Sequence, residues 1–360
     1  LSNLRLVDEI LPECAPTEIV VETHAIGLNF ADIFAIFGLY SATPKGSFIP
    51  GLEYAGVVVD KGAAVTNVEL GQRVMGAVRF GAYTSHVVVD AHYAVPLPEG
   101  WSFAEGAAFI VQALTAYYAL KHLGGLMNTA PADSAILIHS AAGGVGIYAH
   151  RIAKAMTGGQ AFTIGTIGSA AKTDTLQRES YDRVLLRPRG NTRSSKRAFA
   201  RLLGDALLDD TLPDDALHTR PLRIILDSLG GRIMQAGYEA LAPAGRMVCF
   251  GSAHLAFRGN RPNYATLLWN YLQRPRLDPL AMIEENKGVF GFNLIYLWEN
   301  LPLMQQMLAE LDAMQLARPF VGQTFDFERL PEALIQFQSG TTVGKVVVER
   351  TSTVLQHSKK

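Results

Sequence analysis

Residues 135–146 read Ala-Ile-Leu-Ile-His-Ser-Ala-Ala-Gly-Gly-Val-Gly, and no other segment restricts the fold as much. An apolar run bounded by turn residues reads as a buried strand, and Val145–Met156 behind it carries helical periodicity. A strand running straight through a glycine-rich turn into a helix is the first half of a βαβ unit. The turn has the spacing Ala141-x-Gly143-x-x-Gly146, a dinucleotide fingerprint with Ala in place of the first Gly. Gly143 lets backbone approach a pyrophosphate, Gly146 lets the helix pack on the strand, and the first helical N–H groups face the anion. Ala142, Gly143, Gly144, Val145 and Gly146 are therefore the candidate phosphate cradle; a merely tight βα turn is the plain alternative.

Alternation continues downstream. Phe162–Thr166, Arg183–Leu186, Arg223–Asp227 and Arg246–Phe250 read as strands, with helices between them, which argues for a parallel sheet. Residues 1–100 differ: short β-branched runs (Ile19–Thr23, Gly56–Val59, His86–Val89) are separated by Gly, Pro and Asp, a β-rich texture. A capping box, Ser102-Phe-Ala-Glu105, opens an apolar helix to about Lys121. Its apolar stretch, Ala107–Leu120, is short for a bilayer span of about 20 residues. Later segments read as a helix at Tyr264–Leu272, a strand near Val289–Phe292, a helix near Glu299–Met314 and a last strand at Thr341–Val348.

An NAD-preferring site places Asp or Glu about 20 residues beyond the turn, on the ribose 2′-hydroxyl. Here no acidic residue lies between Gly146 and Asp174. Ser169 and Lys172 stand there instead, and Arg187 and Arg189 follow the next strand. Such groups attract a 2′-phosphate that a carboxylate would repel, so NADP(H) is expected; Lys172 as a solvated helix residue is the bland alternative.

Several motifs together resemble a family. Gly27-Leu-Asn29-Phe-Ala-Asp32, Gly38-Leu-Tyr40, Pro50-Gly-Leu-Glu53-Tyr-Ala-Gly56, Gly71-Gln-Arg-Val74, Leu114-Thr-Ala-Tyr117, Ala141–Gly146 and Gly344-Lys-Val346 occur in the order seen in medium-chain dehydrogenase/reductases. The chain is most similar to their zinc-free quinone oxidoreductase branch, and within it to the proteins named after the synaptic vesicle amine transport protein. Arg261-Pro-Asn-Tyr264, Met282-Ile-Glu-Glu-Asn-Lys287 and Gly291-Phe-Asn-Leu294 fit that subgroup. The resemblance implies an α/β chain in which a doubly wound Rossmann domain (121–288) is nested within a GroES-like β-rich domain (1–120 and 289–360). It also implies a homodimer paired through the edge of the Rossmann sheet, with which the apolar Arg246–Phe250 strand is compatible.

Zinc-dependent relatives carry Cys where this chain has Asn29 and His where it has Leu52. Glu53 and Asp32 alone are a poor zinc pair, so no metal is expected. His139, at the end of a buried strand, reads as a satisfied core histidine. The implied reaction is hydride transfer from the nicotinamide to a quinone or enone, with charge developing on the acceptor oxygen. Tyr40 is the leading donor to that oxygen; a packing tyrosine is the alternative. The resemblance implies Asn29 beside the nicotinamide, its amide able to bond ribose or substrate; it also suits a helix N-cap. Asp32 fits the first turn of that helix better than chemistry.

The resemblance further implies that Thr115 faces the cofactor. Phe250, Gly251 and Ser252 follow a Rossmann strand and suit the nicotinamide ribose, and Phe292 suits closure over the ring. Lys345 reads as solvated or structural, otherwise near substrate or cofactor. Aromatics at Tyr40, Tyr54, Phe80, Trp269 and Phe292 suggest a flat apolar substrate if they gather round the cofactor.

Composition excludes more than it proposes. The chain has 360 residues, 49% hydrophobic and 18% charged, with a net charge of −1. That is neither the low hydrophobicity of a disordered chain nor the basic excess of a nucleic-acid binder. Two cysteines make no disulfide framework, and the N-terminus lacks a signal-peptide layout, so a reducing, cytoplasmic setting is expected. The balanced charge hides a basic run (Arg187, Arg189, Arg193, Lys196, Arg197, Arg201) followed by an acidic one (Asp205, Asp209, Asp210, Asp214, Asp215). This segment reads as a crossover helix with a solvated loop, or as a partner surface. Two other functions remain open: a non-catalytic NADPH-binding protein acting through a partner or peripheral membrane contact, and an enoyl-thioester reductase.

Overall fold

A computed structural model describes residues 1, 4–129, 134–208, 219–257 and 259–350. Its strands, in chain order, are β1 (Glu18–Gly27), β2 (Glu53–Lys61), β3 (Arg73–Ala77), β4 (His86–Asp90), β5 (Ala94–Pro96), β6 (Ala135–Ile138), β7 (Phe162–Ile167), β8 (Arg183–Leu186), β9 (Leu222–Asp227), β10 (Leu241–Cys249), β11 (Gly288–Gly291), β12 (Val321–Asp326) and β13 (Lys345–Glu349). They form two separate sheets, and the chain divides into unit 1 (Leu1–Val111 with Arg318–Lys360) and unit 2 (Gln112–Ala317).

Unit 1 is the GroES-like part. Its sheet runs β12-β13-β1-β2-β3-β5, with β4 also paired to β1. β1 is antiparallel to β2, β4 and β13, and β13 is parallel to β12. The inward residues of β1, β2 and β13 (Ile19, Val21, Val58, Val346, Val348) form one apolar core with Tyr54 and Leu334. Each such side chain, fully buried, stabilises the fold by about 1.5–3 kcal/mol.

Unit 2 is the Rossmann part. Its six parallel strands run β11-β10-β9-β6-β7-β8. Counted from β6, that is the doubly wound order 3-2-1-4-5-6, whose reversal point lies between β6 and β9. The glycine-rich turn leaves β6 at that point. Leu137, Ile164, Ile225 and Met247 from the sheet pack against Phe199 and Leu203 of helix Arg193–Leu207.

Three expectations change. The return to the β-rich domain at residue 289 is displaced: β11 pairs parallel with β10, and helix Leu301–Ala313 also belongs to unit 2, so unit 1 resumes at Arg318. On the other side the division falls at Val111/Gln112, inside the apolar helix. The Arg246–Phe250 strand is not the sheet edge, because β11 covers it. The predicted helix to Lys121 is an α-helix at Phe103–Gly106, another at Ile110–Tyr117 and a π-helical end at Tyr118–Leu123. The whole run 103–123 is long and apolar enough to cross a membrane, and 78% of its most apolar window is buried within the protein. Of the acidic run, Asp209, Asp210, Asp214 and Asp215 lie outside the described residues.

Candidate functional site

The glycine-rich turn is built as its spacing demands. Ser140, in the left-handed region at φ 53°, reverses the chain after β6. Gly143 is the N-cap of helix Gly144–Met156 and brings no capping side chain, so the first helical N–H groups keep their capacity for a ligand. A Cβ on Gly146 would lie 2.6 Å from the Ala141 Cα and 2.7 Å from the Ser140 carbonyl oxygen, so the close helix–strand approach admits only glycine. Ala142 is buried beneath the turn, and Gly144 and Val145 are half-buried. Gln112, which the sequence reading missed, lies over the turn: its Oε1 would be 3.2 Å from a Cβ on Gly144. Thr115, three residues on, is buried in the same helix.

Beside the turn, the carboxyl ends of β7 and β8 gather positive charge. Arg187 is held by its backbone N–H on the Ile167 carbonyl, and its guanidinium lies over Gly168. Burial and the neighbouring Arg187 bring the Lys172 ammonium down to about 8. Burial also lowers Arg187, against the pull of Asp227. Ser169 caps the short helical turn Ala170–Lys172 with its hydroxyl, 3.4 Å from the Ala171 N–H.

At the ends of β10 and β11, Phe250 and Phe292 pack with ring centroids 6.2 Å apart, and Tyr118 meets Phe292 at 5.0 Å. The Phe292 N–H bonds the Cys249 carbonyl. Gly251 and Ser252 are exposed next to them. Tyr118 and His122, stacked at 5.2 Å, are not among the sequence candidates. They stand on the π-helical turn, a local widening found often at functional positions and invisible to residue spacing.

His139 is buried, with Nδ1 on the Thr166 hydroxyl at 2.9 Å. Its Nε2 has no hydrogen-bond partner among the described residues and stands 3.8 Å from Asp227, so the histidine is core but only half satisfied. Burial pushes it down to about 3 and raises the Asp227 carboxyl to about 6.

Asn29 and Lys345 belong to unit 1, in a buried polar cluster. The Lys345 ammonium donates to Asn29 Oδ1 at 2.9 Å and is ion-paired to Glu53. The Asn29 amide donates to Glu53 Oε1 at 3.0 Å and to the Gly27 carbonyl at 3.2 Å. Asn29 is also the N-cap of helix Phe30–Ile36; its backbone N–H donates to Asp32, at the third helical position, and the Tyr83 hydroxyl donates to the same carboxylate oxygen. Burial raises the Asp32 carboxyl to about 7 and lowers Lys345. Lys345 is therefore not solvated, being 3% exposed. Tyr40 is half-buried, edge-on to Phe80 at 6.4 Å. Tyr54 is a core residue with its hydroxyl sealed in, whereas Trp269 is 63% exposed; the five aromatics do not share one environment. Among the described residues no group of three His, Cys, Asp or Glu is placed to hold a metal ion.

A GroES-like sheet in the same chain as a nested Rossmann unit defines an oxidoreductase of the medium-chain dehydrogenase/reductase class. The pattern of the alcohol dehydrogenase GroES-like domain matches residues 15–99, and that of the zinc-binding dehydrogenases matches 203–348. The human synaptic vesicle membrane protein VAT-1 homolog is 30% identical over 94% of this chain and 80% of its own length. The zebrafish (Danio rerio) homolog is equally similar, and the chain spans 65% of its length. Among solved structures, human VAT-1 homolog-like protein superposes with a TM-score of 0.74 at 24% identity, over 98% of this chain and 95% of that one. Quinone oxidoreductase from Thermus thermophilus, solved also with NADPH, gives 0.72 at 26%, over 96% and 95%. The chain belongs to the VAT-1 homolog family of the medium-chain dehydrogenase/reductases.

Proposed function

We propose that this protein is an NADPH-dependent, metal-independent reductase of quinones or α,β-unsaturated carbonyls. The observation that carries the reading is the Arg187 guanidinium set against Gly168 after β7, with Lys172 in the helical turn that follows, a setting that suits a 2′-phosphate. The uncapped N-terminus at Gly143 and the close packing at Gly146 fit a pyrophosphate, so the residues present suit the cofactor. The NADPH complex of the Thermus quinone oxidoreductase supports the same choice.

Ala142 to Gly146 hold the pyrophosphate, and Ser169, Lys172 and Arg187 hold the 2′-phosphate. Thr115, Phe250, Gly251, Ser252 and Phe292 orient the nicotinamide end. When bound, the cofactor supplies the hydride. Tyr40 donates a hydrogen bond to the acceptor oxygen as charge develops there, and Asn29 stands beside the reactants. Both Asn29 amide N–H donors are already engaged. A second copy of the chain pairs along β11, the sheet edge, and covers helix Tyr264–Leu272, none of whose residues is buried.

Loss of NADPH absorbance with a panel of quinones and enones tests this reading. The reading expects turnover with at least one acceptor and a marked loss in Tyr40→Phe; tight NADPH binding without any turnover would overturn it. Enoyl-thioester reduction is a second reading. It is favoured by 30% identity, over 97% of this chain, to a segment of squalestatin hexaketide synthase from Cochliobolus lunatus. Turnover of an enoyl thioester but not of quinones distinguishes it.

A further inference from the structure

Three neighbouring strands of unit 1 end or begin around one carboxamide. β1 ends at Gly27, β2 begins at Glu53 and β13 begins at Lys345, and the sheet order is β13-β1-β2. The registers Ile26↔Tyr54 and Gly27↔Val347 fix this meeting point. A Cβ on Gly27 would overlap the Ala107 carbonyl oxygen and lie 2.8 Å from the Lys345 Cε and 2.9 Å from the Glu53 Cγ. Glycine at the end of β1 is what lets the lysine and glutamate close over it.

Glu53 and Asp32 are 0% exposed and Lys345 is 3% exposed. A buried ion pair by itself is poor evidence of stabilisation, since a well-packed apolar replacement often does as well. Here both charges also bond the same carboxamide, with opposite polarity. The cation sits on its oxygen, and the carboxylate accepts from its amide. Turning the amide over would set N–H donors against the ammonium and the carbonyl oxygen against the carboxylate, both repulsive. Glu53 is itself fixed, accepting the Val111 N–H at 3.2 Å on its second oxygen. Asp32 holds the Asn29 backbone from below, steadied by Tyr83. The cluster admits one orientation of Asn29.

We propose that Lys345 is a positioning residue: with Glu53 it locks the Asn29 carboxamide in a single orientation, and through Asn29 it acts on the reaction. The locking stands on the cluster alone; the effect on the reaction rests on the reading that Asn29 stands beside the reactants.

Lys345→Met keeps the apolar stem and removes the charge. The expected result is a drop in kcat of about 100-fold, as for a misplaced active-site group, with the KM for NADPH changed by less than about threefold. Lys345→Met with Glu53→Gln removes the carboxylate charge as well; its melting temperature should return toward that of the parent while kcat stays low. Recovery of both would make Lys345 merely structural and overturn the proposal. In the full chain labelled with ¹⁵N-asparagine, the Asn29 side-chain signal, assigned by its loss in Asn29→Ser, should be slow to exchange and should lose that protection in Lys345→Met. Unchanged protection would refute the locking whether or not the chain reduces quinones. If protection is lost as expected but the parent turns over no acceptor, the functional reading fails and takes the claim on the reaction with it.

Discussion

At the strand ends of unit 1, Glu53, Lys345, Asn29 and Asp32 are bonded to one another, whereas at the strand ends of unit 2, Lys172 and Arg187 stand side by side as like charges. The first arrangement is closed: its acceptors and donors meet inside the protein and fix a geometry. The second is more exposed: Lys172 and Arg187 are half-buried, and the helix N-cap Gly143 brings no side chain. Charge taken from water is costly; in the first region hydrogen bonds between the charged groups offset the cost, and in the second the cations are half-buried and Asp227 pulls on Arg187. Residue type does not separate the two regions; the partners of each residue do.

The contrast is broken most severely through glycine. Gly27→Ala places a methyl group into the Ala107 carbonyl and should cost more than about 4 kcal/mol, or abolish folding. Gly143→Ala meets only the Ser140 carbonyl oxygen, 3.3 Å away, and should cost about 1 kcal/mol or less while impairing pyrophosphate approach. Urea unfolding and NADPH titration of the two variants measure the difference. Equal stability losses would erase the distinction between the two regions.

Proton linkage gives the next effect. The Asp32 carboxyl rises from 3.8 to about 7, so the folded chain binds its proton more tightly than the unfolded chain does. Between those values stability falls as pH rises, by up to about 1.4 kcal/mol per pH unit from this group. Asp32→Asn cannot titrate there. Its unfolding free energy relative to the parent should therefore improve from pH 4.5 to 7.5, and a constant difference would show that Asp32 is ionised throughout.

A smaller effect is expected where charges pair near the surface. Glu310 accepts from Lys121 at 2.6 Å and from the Tyr117 hydroxyl, tying helix Leu301–Ala313 to the apolar helix inside unit 2. The Lys121 and Glu310 side chains are about one-third exposed, so Glu310→Gln should cost no more than about 1 kcal/mol, less at high salt. Thermal melts at low and high salt check the size and its screening.

How much of this is legible in the sequence follows from range. Ala135–Gly146 carries its strand, turn and helix within twelve residues, and β6, the turn and helix Gly144–Met156 appear as read. Helix Tyr264–Leu272 and strand Arg183–Leu186 have the expected bounds for the same reason. The return point near 289 is misplaced in the sequence reading because Gly288–Gly291 is a short apolar strand in either domain, and only its pairing with β10 assigns it. β12 carries no apolar alternation, its residues being half-buried or exposed, and nothing in the sequence announces it. The candidates Asn29 and Lys345 come from motifs 316 residues apart; that they bond each other is a fact of strand order which neither motif contains. Tyr118 and His122 escape a sequence reading because a π-helical turn leaves no spacing signal.

The proposed role of Lys172 and Arg187 is to hold the 2′-phosphate of NADPH. Calorimetric titration of NADPH and NADH into the parent chain and into Arg187→Ala tests it most directly. The expected result is that the parent prefers NADPH, and that Arg187→Ala weakens NADPH by roughly 10- to 100-fold, the worth of one charge-assisted hydrogen bond, with NADH within about threefold of the parent. Equal affinity of the parent for both cofactors, or equal loss of both in the variant, would contradict it.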